Sequence, residues 1–158
     1  MRLPWFALVG VAVLTLAGGP AAGAPLAPGG ASAAEVDAVL RADGFATELK
    51  TDSDGDPVVF AEHAGAKFGV FFYECRNGRC ASIQFSGAFA STQAAAKAAA
   101  KAAEWNRVRR FGRAYVGTDG GLRVEMDVEL GQGGSTEGIA SNLARWKAVL
   151  TEFISFAR

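Results

Sequence analysis

The sequence predicts an α+β domain: an antiparallel sheet of about six strands packed by helices, in the order αββββαββα. Residues 122–130 alternate strictly, with Leu122, Val124, Met126, Val128 and Leu130 facing one way and Arg123, Glu125, Asp127 and Glu129 the other. One face of that strand is therefore core and the other meets water. Three pairs of β-prone runs joined by turn residues alternate with segments of helical period, so hairpins build the sheet and one-sided helices cover it.

The first helix opens on Ser32-Ala33-Ala34-Glu35, which has the form of a capping box. Val36, Val39 and Leu40 share one helical face, and Gly44 supplies a left-handed stop. Residues 45–51 and 58–63 form a hairpin with its turn at residues 53–56. A second hairpin, residues 67–75 and 80–86, closes around Asn77-Gly78. From Ser91 the alanine-rich run through residue 110, with Lys97 and Lys101 one turn apart, predicts a helix of high intrinsic propensity. Residues 112–117 and 122–130 pair across Thr118-Asp119-Gly120-Gly121. An even loop would push Arg113 into the core beside Met126; an odd loop sets it opposite Glu125 or Asp127 and is expected, because an unpaired buried guanidinium is costly. A last helix starts at Ser135 and repeats Ile139, Leu143, Trp146, Leu150 and Phe153 at helical spacing to the C-terminus.

Ahead of this domain, Arg2, an apolar run over residues 3–17 and Ala22-Gly23-Ala24 have the form of a secretory signal cleaved after Ala24. The run is shorter than the roughly 20 residues of a membrane span and breaks at Gly18-Gly19-Pro20, so no stable span is expected after cleavage. The expected organisation is a signal peptide at 1–24, a Pro-Gly-Ala linker at 25–31 and the domain at 32–158, periplasmic or secreted. Losing Arg2 leaves 15 basic and 16 acidic residues from the original 16 and 16, which gives no bulk field for polyanions. Export likewise argues against nucleic acid as a partner.

The only two cysteines, Cys75 and Cys80, flank Asn77-Gly78. With those two as the centre of a type I′ turn, Arg76 pairs with Arg79 and Cys75 falls opposite Cys80 at a non-hydrogen-bonded site, Cα atoms about 4.5 Å apart. The same register sets Phe72 against Ile83 and Val70 against Phe85, and leaves the cysteines on the other face with Phe71 and Tyr73. A structural disulfide is the expected outcome in an oxidising compartment. Redox or ligand roles are weaker readings: zinc wants more Cys or His ligands and the one histidine is His63, while a thioredoxin-like site wants Cys-x-x-Cys.

Other motifs yield to plain explanations. Asp52-Ser53-Asp54-Gly55-Asp56 resembles a calcium loop but has Pro57 and His63 where an EF-hand needs Gly and Glu, so turn chemistry explains it. His63 has no nucleophile in a recognisable setting, and Gly131-Gln132-Gly133-Gly134 is a strand-to-helix connection before it is an anion site. Neither a metal nor a cofactor is expected, and no catalytic residue is assigned. Trp105 to Arg113 interleaves four arginines with two aromatics. There Trp105 and Phe111 are expected to pack while the arginines complement the helix end and the acidic strand face; a partner-binding patch is the alternative.

The segments ATELKTDSDGDP, SIQF, EWNRVRRFGRAYV, LRVEMDVEL, GGSTEGI and LARWKAVLTEF resemble the YbjN domain family, described as bacterial sensory transduction regulators, over about residues 34–153. The Trp-Asn-x-x-x-x-Phe-Gly-Arg-Ala-Tyr string joined to Glu-Met-Asp-Val carries the resemblance. It implies an α+β fold similar to type III secretion chaperones and no established catalytic residues. The alanine-rich middle helix and the export signal set this chain apart. The expected function is a non-catalytic envelope module, for which the resemblance implies a regulatory role, binding a protein or peptide, a second copy of the chain included. Its expected surface is the sheet face bearing Phe71 and Tyr73, or the arginine junction of Arg107, Arg110 and Arg113. A small-ligand sensor or an envelope enzyme with a pocket converging on His63 is the alternative.

Overall fold

The computed structural model describes residues 23–90 and 94–157. The expected signal peptide lies, through residue 22, outside the described residues. The elements are α1 (Ala33–Ala42), β1 (Glu48–Thr51), β2 (Pro57–His63), β3 (Ala66–Arg76), β4 (Arg79–Phe89), α2 (Ala95–Val108), β5 (Arg113–Val116), β6 (Leu122–Glu129) and α3 (Thr136–Ala157). This is the expected α+β fold, with one antiparallel sheet in the order β1-β2-β3-β4-β6-β5.

Local chemistry sets the element ends. Ser32 Oγ accepts from Glu35 N while the Glu35 carboxylate accepts from Ser32 N at 2.8 Å, which completes the capping box of α1. Ser135 Oγ accepts from Gly138 N at 3.0 Å and starts α3. Helix α2 begins at Ala95, with Ala94 at its N-cap making no side-chain hydrogen bond, so it stands on alanine propensity. Asn77 and Gly78 have φ of 53° and 75°, the type I′ turn that the sequence predicts. A second such turn at Ala64 and Gly65, φ 52° and 77°, joins β2 to β3 and so fuses the first two hairpins into a continuous ladder.

The core lies on one face of the sheet. Val59, Phe68, Val70, Phe72, Ile83, Phe85, Val124 and Met126 point into it, and Trp146 of α3 stacks on Phe85 with ring centroids 5.7 Å apart. The stripe expected of α3, Ile139, Leu143, Trp146, Leu150 and Phe153, is buried in full and gains Val149. Helix α2 seals the far end through Trp105, whose ring meets Phe153 edge-on at 4.9 Å. Strand β6, with its strict alternation, occupies an interior position, while the four-residue β1 and β5 form the two edges. Short edges offer little backbone for unwanted pairing. The five-residue connection at 117–121 is odd, and Arg113 pairs with Glu125 as expected.

One expectation changes at the tip of the β3–β4 hairpin. Cys75 and Cys80 pair in register and form a disulfide, with Cα atoms 3.9 Å apart, yet they do not share the face of Phe71 and Tyr73. Glu74 adopts φ 56° and breaks the ladder between the Tyr73–Ser82 and Cys75–Cys80 pairs. A residue in the left-handed region turns the strand, so the two-residue alternation shifts and Cys80, 2% exposed, joins the core.

Residues 25–31, expected to be a linker without an anchor, are bound along the domain. Pro25 bridges Ser135, and Leu26 N donates to Gly134 O at 2.8 Å. Ala31 exchanges backbone hydrogen bonds with Cys80 at 3.1 and 2.8 Å and is fully buried. Arg79 donates twice to Gly30 O, at 2.9 and 2.6 Å, and pairs with Glu35 at 2.8 Å. The sequence hides most of this anchoring because the segment contributes backbone groups to these bonds, although the Leu26 side chain also packs on the core; Gly30 is required, since a Cβ there would stand 2.0 Å from Cys80 O.

Closing a six-residue loop stabilises by about 2 kcal/mol on the loop-entropy model. The Cys75→Ala/Cys80→Ala variant should lose about that much in urea unfolding and exchange the amide of Ala31 faster, because its partner strand is freed. A midpoint and exchange rate equal to wild type would contradict this role for the bond.

Candidate functional site

The second face of the sheet carries no helix among the described residues, and the register lays out its side chains in rows. One row crosses all six strands as Glu48, Phe60, Gly69, Ser86, Glu125 and Arg113, and the next runs Lys50, Val58, Phe71, Gln84 and Asp127. Tyr73, Ser82 and Glu129 form a third. The face is therefore apolar on β2 and β3 and acidic on β6.

At the apolar end the rings of Phe60 and Phe71 meet edge-to-face with centroids 6.3 Å apart. They close over Gly69, where a Cβ would stand 2.7 Å from Phe71 Cε2 and 3.3 Å from Phe60 Cε1. The missing side chain lets the two aromatics close over the strand backbone at that point. Tyr73 is 44% exposed, its hydroxyl donates to Gln84 Oε1 at 3.3 Å, and Gln84 Nε2 donates to Asp127 Oδ1 at 2.7 Å. An open depression of about 530 Å³ is lined by Tyr73, Ser82, Gln84, Asp127, Val128 and Glu129.

The acidic end is organised by Glu125, the buried charged side chain of this face, 7% exposed. Its carboxylate accepts from Arg113 and from the Tyr115 hydroxyl, both at 2.7 Å, and from Ser86 Oγ at 3.5 Å. Charge and hydrogen bonds together make such burial tolerable. The hydrogen bond to Glu125 holds the Tyr115 phenol above its ordinary pKa and likewise raises that of Arg113. Tyr73 is also raised, first by partial burial and then by the carboxylates of Glu125, Asp127 and Asp52.

The residues expected to form a partner surface thus divide into two groups. Phe71, Tyr73 and Arg113 share the open face, and Phe60, Gln84 and Tyr115, which sequence reasoning passed over, complete it. Arg107 and Arg110 stand apart at the end of α2, where Arg107 is bound to Glu104 at 2.8 Å and the Arg110 guanidinium lies 4.8 Å from the Phe111 ring centroid. Trp105 packs as expected, but Phe111 does not; it is 53% exposed. Gly112 is the reason, because it approaches α3 so closely that a Cβ would lie 2.8 Å from Val149 Cγ1, and the chain turns outward just before it.

His63 lines a shallow depression of about 290 Å³ with Asp43, Phe45, Glu62 and Lys147. Thr151 Oγ1 donates to Lys147 O at 2.8 Å, so it can only accept from His63 Nε2 at 3.2 Å. The Asp43 carboxylate is taken by Lys147 at 2.6 Å. This corner holds no nucleophile aimed at a base. Asp52 Oδ1 accepts from the backbone of Asp54 and Asp56 at 2.9 and 3.0 Å, an Asx turn. Among the described residues no three His, Cys, Asp or Glu side chains gather at metal-binding distance.

With this geometry in hand, the YbjN family model, described as "Putative bacterial sensory transduction regulator", matches residues 32–157. No curated protein and no solved structure matches the chain. The matched description is of a regulator and names no reaction.

The chain's two tyrosines, Tyr73 and Tyr115, should both ionise above pH 10 in a titration followed by phenolate absorbance. Because the folded pKa of Tyr115 is raised, the stability contributed by its bond to Glu125 is fully present below the unfolded value near 10 and is lost as pH rises through the folded value. Glu125→Gln should lower both transitions, that of Tyr115 more. An unshifted Tyr115 transition in that variant would refute the hydrogen bond.

Proposed function

The chain belongs to the YbjN family, and from that premise we propose that it is an exported, non-catalytic regulatory module that binds a protein or peptide partner in the cell envelope. The observation that carries this reading is the sheet face that no helix covers among the described residues, on which Phe60, Phe71 and Tyr73 are presented beside a strip of carboxylates. A sheet face that offers aromatic side chains next to fixed polar groups suits a polypeptide ligand, since aromatics supply area at low entropic cost and the rim supplies direction. The reading includes cleavage of the N-terminal signal after Ala24 and residence in an oxidising compartment, which the Cys75–Cys80 bond supports.

Partner capture from periplasmic extract tests it, with wild type compared against Phe71→Ser, Tyr73→Ser and a Lys97→Ala control on the exposed side of α2. A partner held by wild type and the control should be released at least tenfold by either sheet-face substitution. Identical captured sets for all four proteins would refute the surface. Mass spectrometry of the exported protein should find a chain beginning at Pro25 with no free thiol; a reduced pair would remove the proposed compartment.

A further inference from the structure

The string from Trp105 to Tyr115 is used inside the fold at every named position but one. Trp105 is buried and its Nε1–H donates to Gly112 O at 2.8 Å. The Asn106 side chain clasps both backbone groups of Ala114, at 2.9 and 2.8 Å. Gly112 packs on Val149, Ala114 is in the core, and Arg113 and Tyr115 meet at Glu125. Phe111 is left over, more than half exposed and held at φ 70°, a conformation that a bulky side chain rarely adopts.

Two guanidinium groups hold this ring. The Cζ atoms of Arg110 and Arg145 lie 4.8 and 4.6 Å from its centroid. Other arginines nearby are neutralised, Arg107 by Glu104, Arg109 by Glu152 and Arg113 by Glu125. Arg110 has no carboxylate partner among the described residues, and Arg145 bonds only the neutral Asn142 side chain, at 2.8 Å. A guanidinium stacked on a ring spends its flat face there and keeps its N–H fork free for a carboxylate.

We propose that Phe111, Arg110 and Arg145 form a docking point for an acidic segment of a partner protein, carboxylates on the two forks and an apolar side chain on the exposed ring. Because Arg145 belongs to α3, this point lies on the helix side of the molecule, away from Phe71 and Tyr73. It rests on the reading that the chain binds a protein and adds the charge of what it binds. Two uncommitted cations are too few to hold an anionic bilayer, where clusters of about four to eight are usual, so a peptide is favoured over a lipid surface.

Fluorescence anisotropy with a labelled peptide of alternating Glu and Leu decides it, using a Gln-Leu counterpart and phosphatidylglycerol vesicles as comparison ligands. The Glu-Leu peptide should bind wild type, weaken as salt is raised, and bind Arg110→Gln/Arg145→Gln about tenfold less well. Phe111→Ser should act likewise, while Arg107→Gln and Phe71→Ser should bind as wild type does. Should Phe111→Ser fail to fold, the arginine double variant, which leaves the Phe111 ring in place and changes one exposed and one half-buried side chain, carries the test. Equal binding by the double variant, an equal loss in Arg107→Gln, or binding of the vesicles with none of the peptide would overturn the inference. If the double variant keeps every partner that Phe71→Ser releases from extract, this docking point fails and the broader reading stands.

Discussion

Among the described residues, three helices with one apolar side each seal one face of a six-stranded sheet and leave the other open, and the rest of the described structure answers to that constraint. The alternation of β6 and the matching positions of β4 send Val124, Met126, Ile83 and Phe85 toward the helices. The same alternation obliges the other face to be stable without cover. It manages this in two ways. Phe60 and Phe71 lie over Gly69 and shield each other, while Glu125 gathers Arg113, Tyr115 and Ser86 into a polar knot. A helix laid on this side would have to bury that carboxylate more deeply, at a cost its three partners already only offset.

The corner near the disulfide follows from where the sheet runs out. Strand β6 leaves β4 at the Ser82–Glu129 pair, and beyond it the backbone of β4 would face the interior unpaired. Ala31 takes over at Cys80, Leu130 N donates to Ala81 O at 2.7 Å, and Arg79 ties the segment to Glu35 and so to the start of α1. Burial acts against the Glu35 charge, but Ser32 and Arg79 outweigh it and hold the carboxylate below its ordinary range. The disulfide fixes the hairpin tip on which these contacts converge.

Much of this was readable from residue type and spacing. Period-2 and helical patterns identified every element, Asn77-Gly78 announced its turn, and the cost of burying Arg113 chose the register of the last hairpin correctly. What escaped has a common physical cause. The anchoring of residues 25–31, the Ala64-Gly65 turn and the rotation at Glu74 all depend on backbone geometry that side-chain chemistry does not announce. For the candidate surfaces, Phe71 and Tyr73 followed from alternation, whereas Phe60 and Gln84 join them only through the ladder across neighbouring strands. Phe111 was expected to pack because it is large and apolar; the close approach of Gly112 to α3, which turns it out, is a tertiary fact.

A protein built this way presents function on what its own core does not need. The family match describes a regulator, and both proposed partner surfaces lie outside the core. Hydroxyl-radical footprinting of the free protein, resolved by peptide mapping, tests the one-sided architecture directly. Tyr73 and Phe111 should oxidise readily while the neighbouring Phe72, with Phe85 and Trp146, stays protected. Comparable oxidation of Tyr73 and Phe72, adjacent in sequence but assigned to opposite faces, would contradict it.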